Sequence, residues 1–533
     1  SSAASDVYKR QDIGLQAMMN DSTVRASIMP LDPVIGYEPW TVNAGNFISY
    51  RFPDKHIDAD IRMKGGDSGV ELYTEHSEGS HEQEDLILRV SDIHIQDWIA
   101  LNPFAPPVKG DVSAEFRINY NERMQLNGRG SVDTRNVFYG RERVADIHAD
   151  ADVSTSPGGA LTASADISFD GHRAITLRGA LNDSTLVSPM NLDLSVISLP
   201  LNVANPFLGP DMGRLSGTLN GSIDIQGSTE APVMNGWLAL DSAAVFATMT
   251  ATDYRITADT VPVVNNLATF HDFAIYGTND NPLQLNGTVD IRNMTSPDIK
   301  LTMKARDMQV VNSRRATRGA DVYGKANISL DATVAGNFDF MRVNAALSVL
   351  SGTNVTYVMP EAVNAIQNRS TGEMVKFVNF NDSAAVAAAD SVAPSGMAMV
   401  LDASLVFETA TTVSVDLSAD GKDKVQLQPV GELSYMLTPM NNDGRLTGRL
   451  NINGGFVRYT PPFMSEKLFK FDPESYVAFN GNMMNPLLNV KAVDVIKANV
   501  TQEGQNSRLV NFDVSLSVTG SLEQMKVAFD LAT

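Results

Sequence analysis

The chain has 533 residues, 43% hydrophobic and 19% charged, a balance that excludes wholesale disorder. Its net charge of −21 argues against general nucleic-acid binding and against electrostatic docking on an anionic leaflet, since both need a basic footprint. The absence of cysteine excludes disulfides, thiolate metal sites and a cysteine nucleophile, and no run approaches the roughly 20 apolar residues of a membrane-spanning helix.

Taken in chain order, residues 1–11 (SSAASDVYKRQ) resemble a foreign scar and are set aside from fold reasoning. Strict alternation of apolar and polar residues then begins, as in Ile57-Asp-Ala-Asp-Ile-Arg-Met63, and predicts half-buried strands. Leu192-Asp-Leu-Ser-Val196, Leu283-Gln-Leu-Asn-Gly-Thr-Val-Asp-Ile291 and Ile299-Lys-Leu-Thr-Met-Lys-Ala305 continue it. Val413-Ser-Val-Asp-Leu417 and Phe512-Asp-Val-Ser-Leu-Ser-Val518 follow. Gly, Asn, Asp and Ser gather between strands, as in Gly65–Gly69, Ser156–Gly159, Asn279–Pro282 and Asn441–Gly444, and the glycines are read as marking turns. Helix-period segments are few and short, with Ile95–Leu101 and Glu361–Gln367 foremost among them.

A longer unit overlies this pattern. Asn102-Pro-Phe104 recurs as Asn205-Pro-Phe207, an offset of about 100 residues. Each copy follows an apolar stretch holding Ser91 or Ser198 and precedes a glycine-led strand. Residues 382–399, rich in Ala and Ser and free of aromatics, read as a loop or linker, with a helical hairpin as the competing reading. The run to Thr533 stops without turn chemistry, so the expectation is a fragment, with an N-terminal anchor and a C-terminal module missing.

Polar clusters resolve into solvated faces. His76–Asp85 combines two histidines with several carboxylates, but glycine and serine break any ligand face. Asp146, His148, Asp150 and Asp152 occupy the water-facing positions of one strand, as do His56, Asp58 and Asp60 of another. No G-x-S-x-G elbow or phosphate-binding glycine loop is present, so no catalytic, metal or cofactor residue is assigned and none is expected.

The apolar face is the one extended feature left. Only 7% of the residues are aromatic, while 23 are methionines, a composition suited to an adaptable wall rather than a large aromatic core. The expected lining is Leu192, Leu194, Val196, Leu283, Leu285, Val289, Ile291, Val413, Val415, Leu417, Val514, Leu516 and Val518. A filled sandwich or barrel core is the ordinary alternative for such a face.

Gly213-Arg-Leu-Ser-Gly217 followed by Gly227-Ser-Thr-Glu-Ala-Pro-Val-Met-Asn-Gly236, with a second copy at Gly444–Tyr459, resembles the C-terminal region of TamB-like proteins of the AsmA-like superfamily. Val518–Val527 resembles the closing phrase, with Met525 where the family usually has proline, and the Asn, Asp and Met content has a Bacteroidota flavour. The resemblance runs over Asp12–Thr533 and strengthens after Leu199. It divides the chain into weaker AsmA/TamB-like β-groove repeats at 12–198, TamB-like repeats at 199–381, the linker at 382–399 and a truncated C-terminal groove at 400–533. It implies an all-β fold: an elongated, curled, taco-like repeat sheet with an apolar concave face and few short helices, on the order of 100–200 Å long. It further implies a non-enzymatic, periplasm-spanning lipid conduit and scaffold for outer-membrane biogenesis, with a role in outer-membrane protein assembly. The partners it implies are phospholipid acyl chains, an outer-membrane barrel of the Omp85 type and the inner membrane, reached through an N-terminal anchor. The alternative function is a secreted β-solenoid adhesin or carbohydrate-binding protein. A polysaccharide-active enzyme would need paired carboxylates in a cleft, and no such pair is evident.

Overall fold

Alternation of this length leaves a backbone few options besides strands, and in the computed structural model most described residues are in one. The structure describes residues 11–35, 38–53, 55–76, 84–99, 105–120, 126–156, 159–181, 189–208, 213–257, 259–314, 321–358, 398–418, 421–439, 441–460, 466–500 and 508–532. Two α-helices occur among them. Ile95–Ile99 falls within the expected helical segment, and Asn205–Leu208 holds the second Asn-Pro-Phe. Residues 361–367 and 382–397 lie outside the described residues, and the strand Ala398–Phe407 begins inside the segment read as linker.

The chain forms two units, residues 1–243 with 258–266, and residues 244–257 with 267–533. In the first, antiparallel strands follow one another in near-sequential order from Gln11–Met19 to Arg214–Gly227. In the second, the ladder among the described residues is antiparallel except at two places. Phe340–Val349 runs parallel to Ala398–Phe407, and Asn354–Val358 runs parallel to Thr412–Asp416. Parallel neighbours cannot be joined by a hairpin and need a connection of a dozen or more residues. Residues 359–397 supply that length.

Two expectations about turns are corrected. Asn441–Gly444 belongs to the strand Asn441–Tyr459, and Thr438 pairs directly with Asn441. The reversal therefore falls between those two residues, where Pro439 lacks the N–H that a ladder position would use. The glycines of the repeated phrase are not turn glycines either. Gly217 and Gly287 sit inside Arg214–Gly227 and Pro282–Asp290 with φ of +94° and +136°. A Cβ at Gly217 would lie 2.6 Å from Ser242 O, and one at Gly287 would run into Lys300 O. These glycines admit the neighbouring backbone and bend the strand.

The sheet is bent again by bulges of one recurring kind. Asp92, Asn136, Ser198, Asp272 and Asp307 each adopt φ of 47–53°, the left-handed region that short polar side chains tolerate best. The ladder register shifts at each of them. Side chains opposite accept the amides of these residues: Ser113 for Asp92 (3.1 Å), Asp146 for Asn136 (2.8 Å), Asn220 for Ser198 (2.8 Å) and Asn286 for Asp272 (2.8 Å). The extra residue increases twist while keeping the flanking apolar pair, such as Phe270 and Phe273, on one face.

Where a strand lacks a neighbour, a buried asparagine replaces it. Asn46 Oδ1 accepts from Ile28 N at 2.6 Å while its Nδ2 donates to Ile28 O at 3.2 Å. Asn266 accepts from Met234 N (2.6 Å) and donates to Pro232 O (2.9 Å). Each unpaired backbone group left behind by truncation would cost about 1–3 kcal/mol.

Candidate functional site

In an antiparallel ladder, directly paired residues point to the same side of the sheet. The register therefore traces a face across strands. In the first unit one such row reads Ile61, Leu72, Leu88, Phe116, Gly130, Ala151, Ala165, Leu177, Leu194, Ile223. The row beside it, on the opposite face, reads Arg62, Glu71, Arg89, Glu115, Ser131, Asp150, Asp166, Thr176, Ser195, Ser222. In the second unit the apolar row reads Ile275, Leu283, Ala305, Leu330, Leu347, Leu405, Leu433, Gly448, Phe479. Alternation within each strand thus becomes an apolar row that runs from strand to strand within each unit.

The expected lining residues fall as follows. Leu192, Leu194 and Val196 pair with Ile225, Ile223 and Gly221 in the first unit. In the second, Leu283, Leu285 and Val289 face Ala305, Met303 and Ile299. Val413 and Val415 face Leu427 and Val425, while Val514, Leu516 and Val518 face Leu531, Phe529 and Val527. Ile291 and Leu417 lie one residue past the ends of Pro282–Asp290 and Thr412–Asp416. All thirteen are half-buried. Packing along the whole face would hide them, yet only some of its members are hidden, such as Ile452 and Ala492 at 2% and 1% exposed. The face instead keeps accessible apolar surface along its length, where isolated exposed residues would carry no meaning.

Part of this face in the second unit deepens into a recess of about 290 Å³, lined by Val245, Tyr254, Ile275, Leu283, Ala305, Met308, Val310, Ile328 and Leu330. Tyr254 turns its hydroxyl to Val310 O at 2.7 Å, and burial pushes its pKa up, so the recess is offered hydrocarbon and no charge. An apolar cavity of roughly half that size stays dry and accepts benzene. The larger recess of about 430 Å³ lies in the first unit and is lined by Asp85, Arg117, Arg129 and Asp152 among others. Its arginines are paired with Asp85 (2.8 Å) and Asp152 (2.7 Å), so it is a solvated, charge-compensated surface. Burial opposes ionisation of Asp85, but hydrogen bonds from Asn119 and Arg117 outweigh it and lower the pKa.

The polar face departs from a simple water-facing side at several points. Ile87 shares it with Tyr73 and Arg117 yet is fully buried. Ser414 and Asp416, on the strand whose Val413 and Val415 were expected to be the hidden side, are only 1% and 2% exposed. Asp416 accepts from Tyr323 Oη at 2.9 Å, and hydrogen bonding of this kind permits its burial.

No group of three His, Asp or Glu arranged to hold a metal ion occurs among the described residues. His148 is held instead by carboxylates, its Nδ1 2.7 Å from Asp133 and its Nε2 2.8 Å from Asp150. The Asp133 hydrogen bond first, then that to Asp150, raises its pKa above the usual 6.5. Because the folded pKa is raised, the pairing stabilises fully below the unfolded value and fades as pH rises through the folded one. NMR titration should place His148 above the free-histidine value, and Asp133→Asn should bring it back down. An unshifted wild-type curve would show that the pairing is absent in solution.

Sequence reading missed the bulges and the recess. A signal for the bulges exists: apolar residues three apart around Asp or Ser, as in Val90-Ser-Asp-Ile93, Val196-Ile-Ser-Leu199, Phe270-His-Asp-Phe273 and Ala305-Arg-Asp-Met308. Residues 271–533 match a family model described as the TamB C-terminal domain. No curated protein and no solved structure shows significant similarity to the chain.

Proposed function

We propose that this chain, which matches the TamB C-terminal domain over residues 271–533, is a non-enzymatic lipid conduit of the Gram-negative cell envelope. The observation that carries this reading is the apolar face, largely half-buried, that each unit builds from paired strands. Acyl chains bound there gain about 0.8 kcal/mol per methylene withdrawn from water. Because successive strands present the same chemistry, a chain can slide from row to row without surrendering that gain. Transfer then needs no bond making or breaking.

In this reading the chain works in the periplasm and contributes to outer-membrane biogenesis and protein assembly. The partners are phospholipid acyl chains, the inner membrane through an N-terminal anchor, and an outer-membrane barrel of the Omp85 type. The ion-paired rows on the opposite face, such as Arg89 with Glu115 at 3.0 Å, keep that side solvated and add little stability individually. Mass spectrometry of the purified protein under native conditions tests the reading. Co-purifying phospholipid supports it, and a lipid-free protein that also extracts none from vesicles overturns it.

A further inference from the structure

The apolar face of the second unit carries three charged residues among its described, paired strands: Arg508, exposed at the start of its strand opposite Val500, and the half-buried Lys467 and Asp494. Lys467 pairs with Tyr459 in the same ladder that pairs Val457 with Phe469, and is therefore on the face of those apolar residues. Asp494 pairs with Val514, between the pairs Ala492–Leu516 and Ile496–Phe512. Both are half-buried, and neither makes an ion pair or hydrogen bond with another described residue. The nearby Lys470, Lys491 and Lys497 occupy the alternate positions and belong to the opposite face.

The two half-buried charges stand on adjacent strands. Lys467–Phe471 pairs with Leu487–Val500 through Lys470–Val493 and Phe471–Ala492. The recorded pairs end there; beyond them Phe469 and Lys467 follow on one strand, and Asp494 follows on the other, all on the apolar side. Both strands thus bring an opposite charge to the apolar wall close to the cluster of Ile452, Phe471 and Ala492. A half-buried carboxylate and ammonium on an apolar wall are available to pair with counter-charges of a molecule lying along it.

We propose that Asp494 and Lys467 form a headgroup-selecting station for a zwitterionic, amine-bearing phospholipid. This rests on the conduit reading. The lipid ammonium pairs with Asp494, its phosphate pairs with Lys467, and its acyl chains lie along the apolar rows on either side. A lipid whose headgroup is only anionic satisfies Lys467 and leaves Asp494 repelled, so the station favours the zwitterion.

The test uses the full chain incubated with mixed vesicles of phosphatidylethanolamine and phosphatidylglycerol, followed by quantification of bound lipid. The wild type should enrich the amine lipid. Asp494→Asn should reduce the amine-to-anionic ratio by about fivefold at unchanged total lipid, and Lys467→Gln should weaken retention of both lipids. The exchanged pair Lys467→Asp with Asp494→Lys restores both charges and keeps the proposal testable if a single variant misfolds; enrichment should return with it. An unchanged ratio in Asp494→Asn overturns the station while leaving the conduit standing, whereas a wild type that binds no lipid overturns the conduit itself. Two further outcomes overturn the station. In one, soluble phosphoethanolamine competes as well as the lipid does, so the charges bind a free zwitterion. In the other, Asp494→Asn self-associates at unchanged lipid ratio, so the charges merely blunt the sheet against aggregation.

Discussion

Gly287→Val is expected to be among the most damaging single substitutions in the chain. At φ of +136° a valine pays the steric cost of a conformation that L-residues avoid, about 1–2 kcal/mol. Its Cβ would also meet Lys300 O and Leu301 Cα of the paired strand. That obstacle is backbone and cannot rotate away, so the ladder must open or the kink must straighten. Together the two effects should cost about 4 kcal/mol and lower the melting midpoint of the second unit by on the order of 10 °C. Hydrogen exchange should rise first in the strands on either side of Pro282–Asp290, because repeat ladders lose stability between neighbours. Gly45→Ala is the control, since nothing lies within 4 Å of its Cβ position, and it should move stability by no more than about 0.5 kcal/mol. A Gly287→Val protein that melts with the wild type would show the kink to be dispensable.

Leu285→Glu is expected to separate the two meanings of the apolar face. Leu285 is half-buried between its partners Phe273 and Met303. If the face is an open lipid path, the carboxylate retains water in the lipid-free state and the fold survives, at a cost of about 1–2 kcal/mol. Bound lipid should then fall on the order of tenfold, because acyl chains would have to pass an unpaired charge. Val415→Asp, between Tyr357 and Val425, should act in the same way. If the face were instead a closed core, the same change would cost more than about 4 kcal/mol and the protein would aggregate on expression. Far-UV circular dichroism with lipid mass spectrometry on one preparation reads both quantities. Full lipid content in a folded Leu285→Glu protein would remove these residues from the path.

The alternation made the all-β class and the apolar set legible, because side-chain direction has a period of two wherever a strand forms. Leu192, Leu194 and Val196 needed only their own segment to be placed together, and Leu283 and Leu285 likewise. The glycines misled because a Gly inside Leu-x-Gly-x is spelled the same whether it turns the chain or admits a neighbour's carbonyl. The side-chain clamps were equally hidden. Nothing local distinguishes Asn266, which replaces a missing strand for Met234, from the exposed asparagines of the loops. Lys467 and Asp494 read as ordinary polar positions until pairing with Tyr459 and Val514 set them on the apolar side.

The sequence alone determined the secondary-structure class, the separation of an apolar from a polar face and the match of residues 271–533 to TamB. The tertiary structure decided which strands stand side by side, where Ala398–Phe407 runs parallel to Phe340–Val349, and where the face opens into a recess beside Leu283. The physical reason is the range of the interactions. Alternation is set by each strand's own backbone, residue by residue. Pairing, bulges and cavities depend on hydrogen bonds and contacts between segments far apart in the chain, and no local pattern encodes which carbonyl will arrive opposite which glycine.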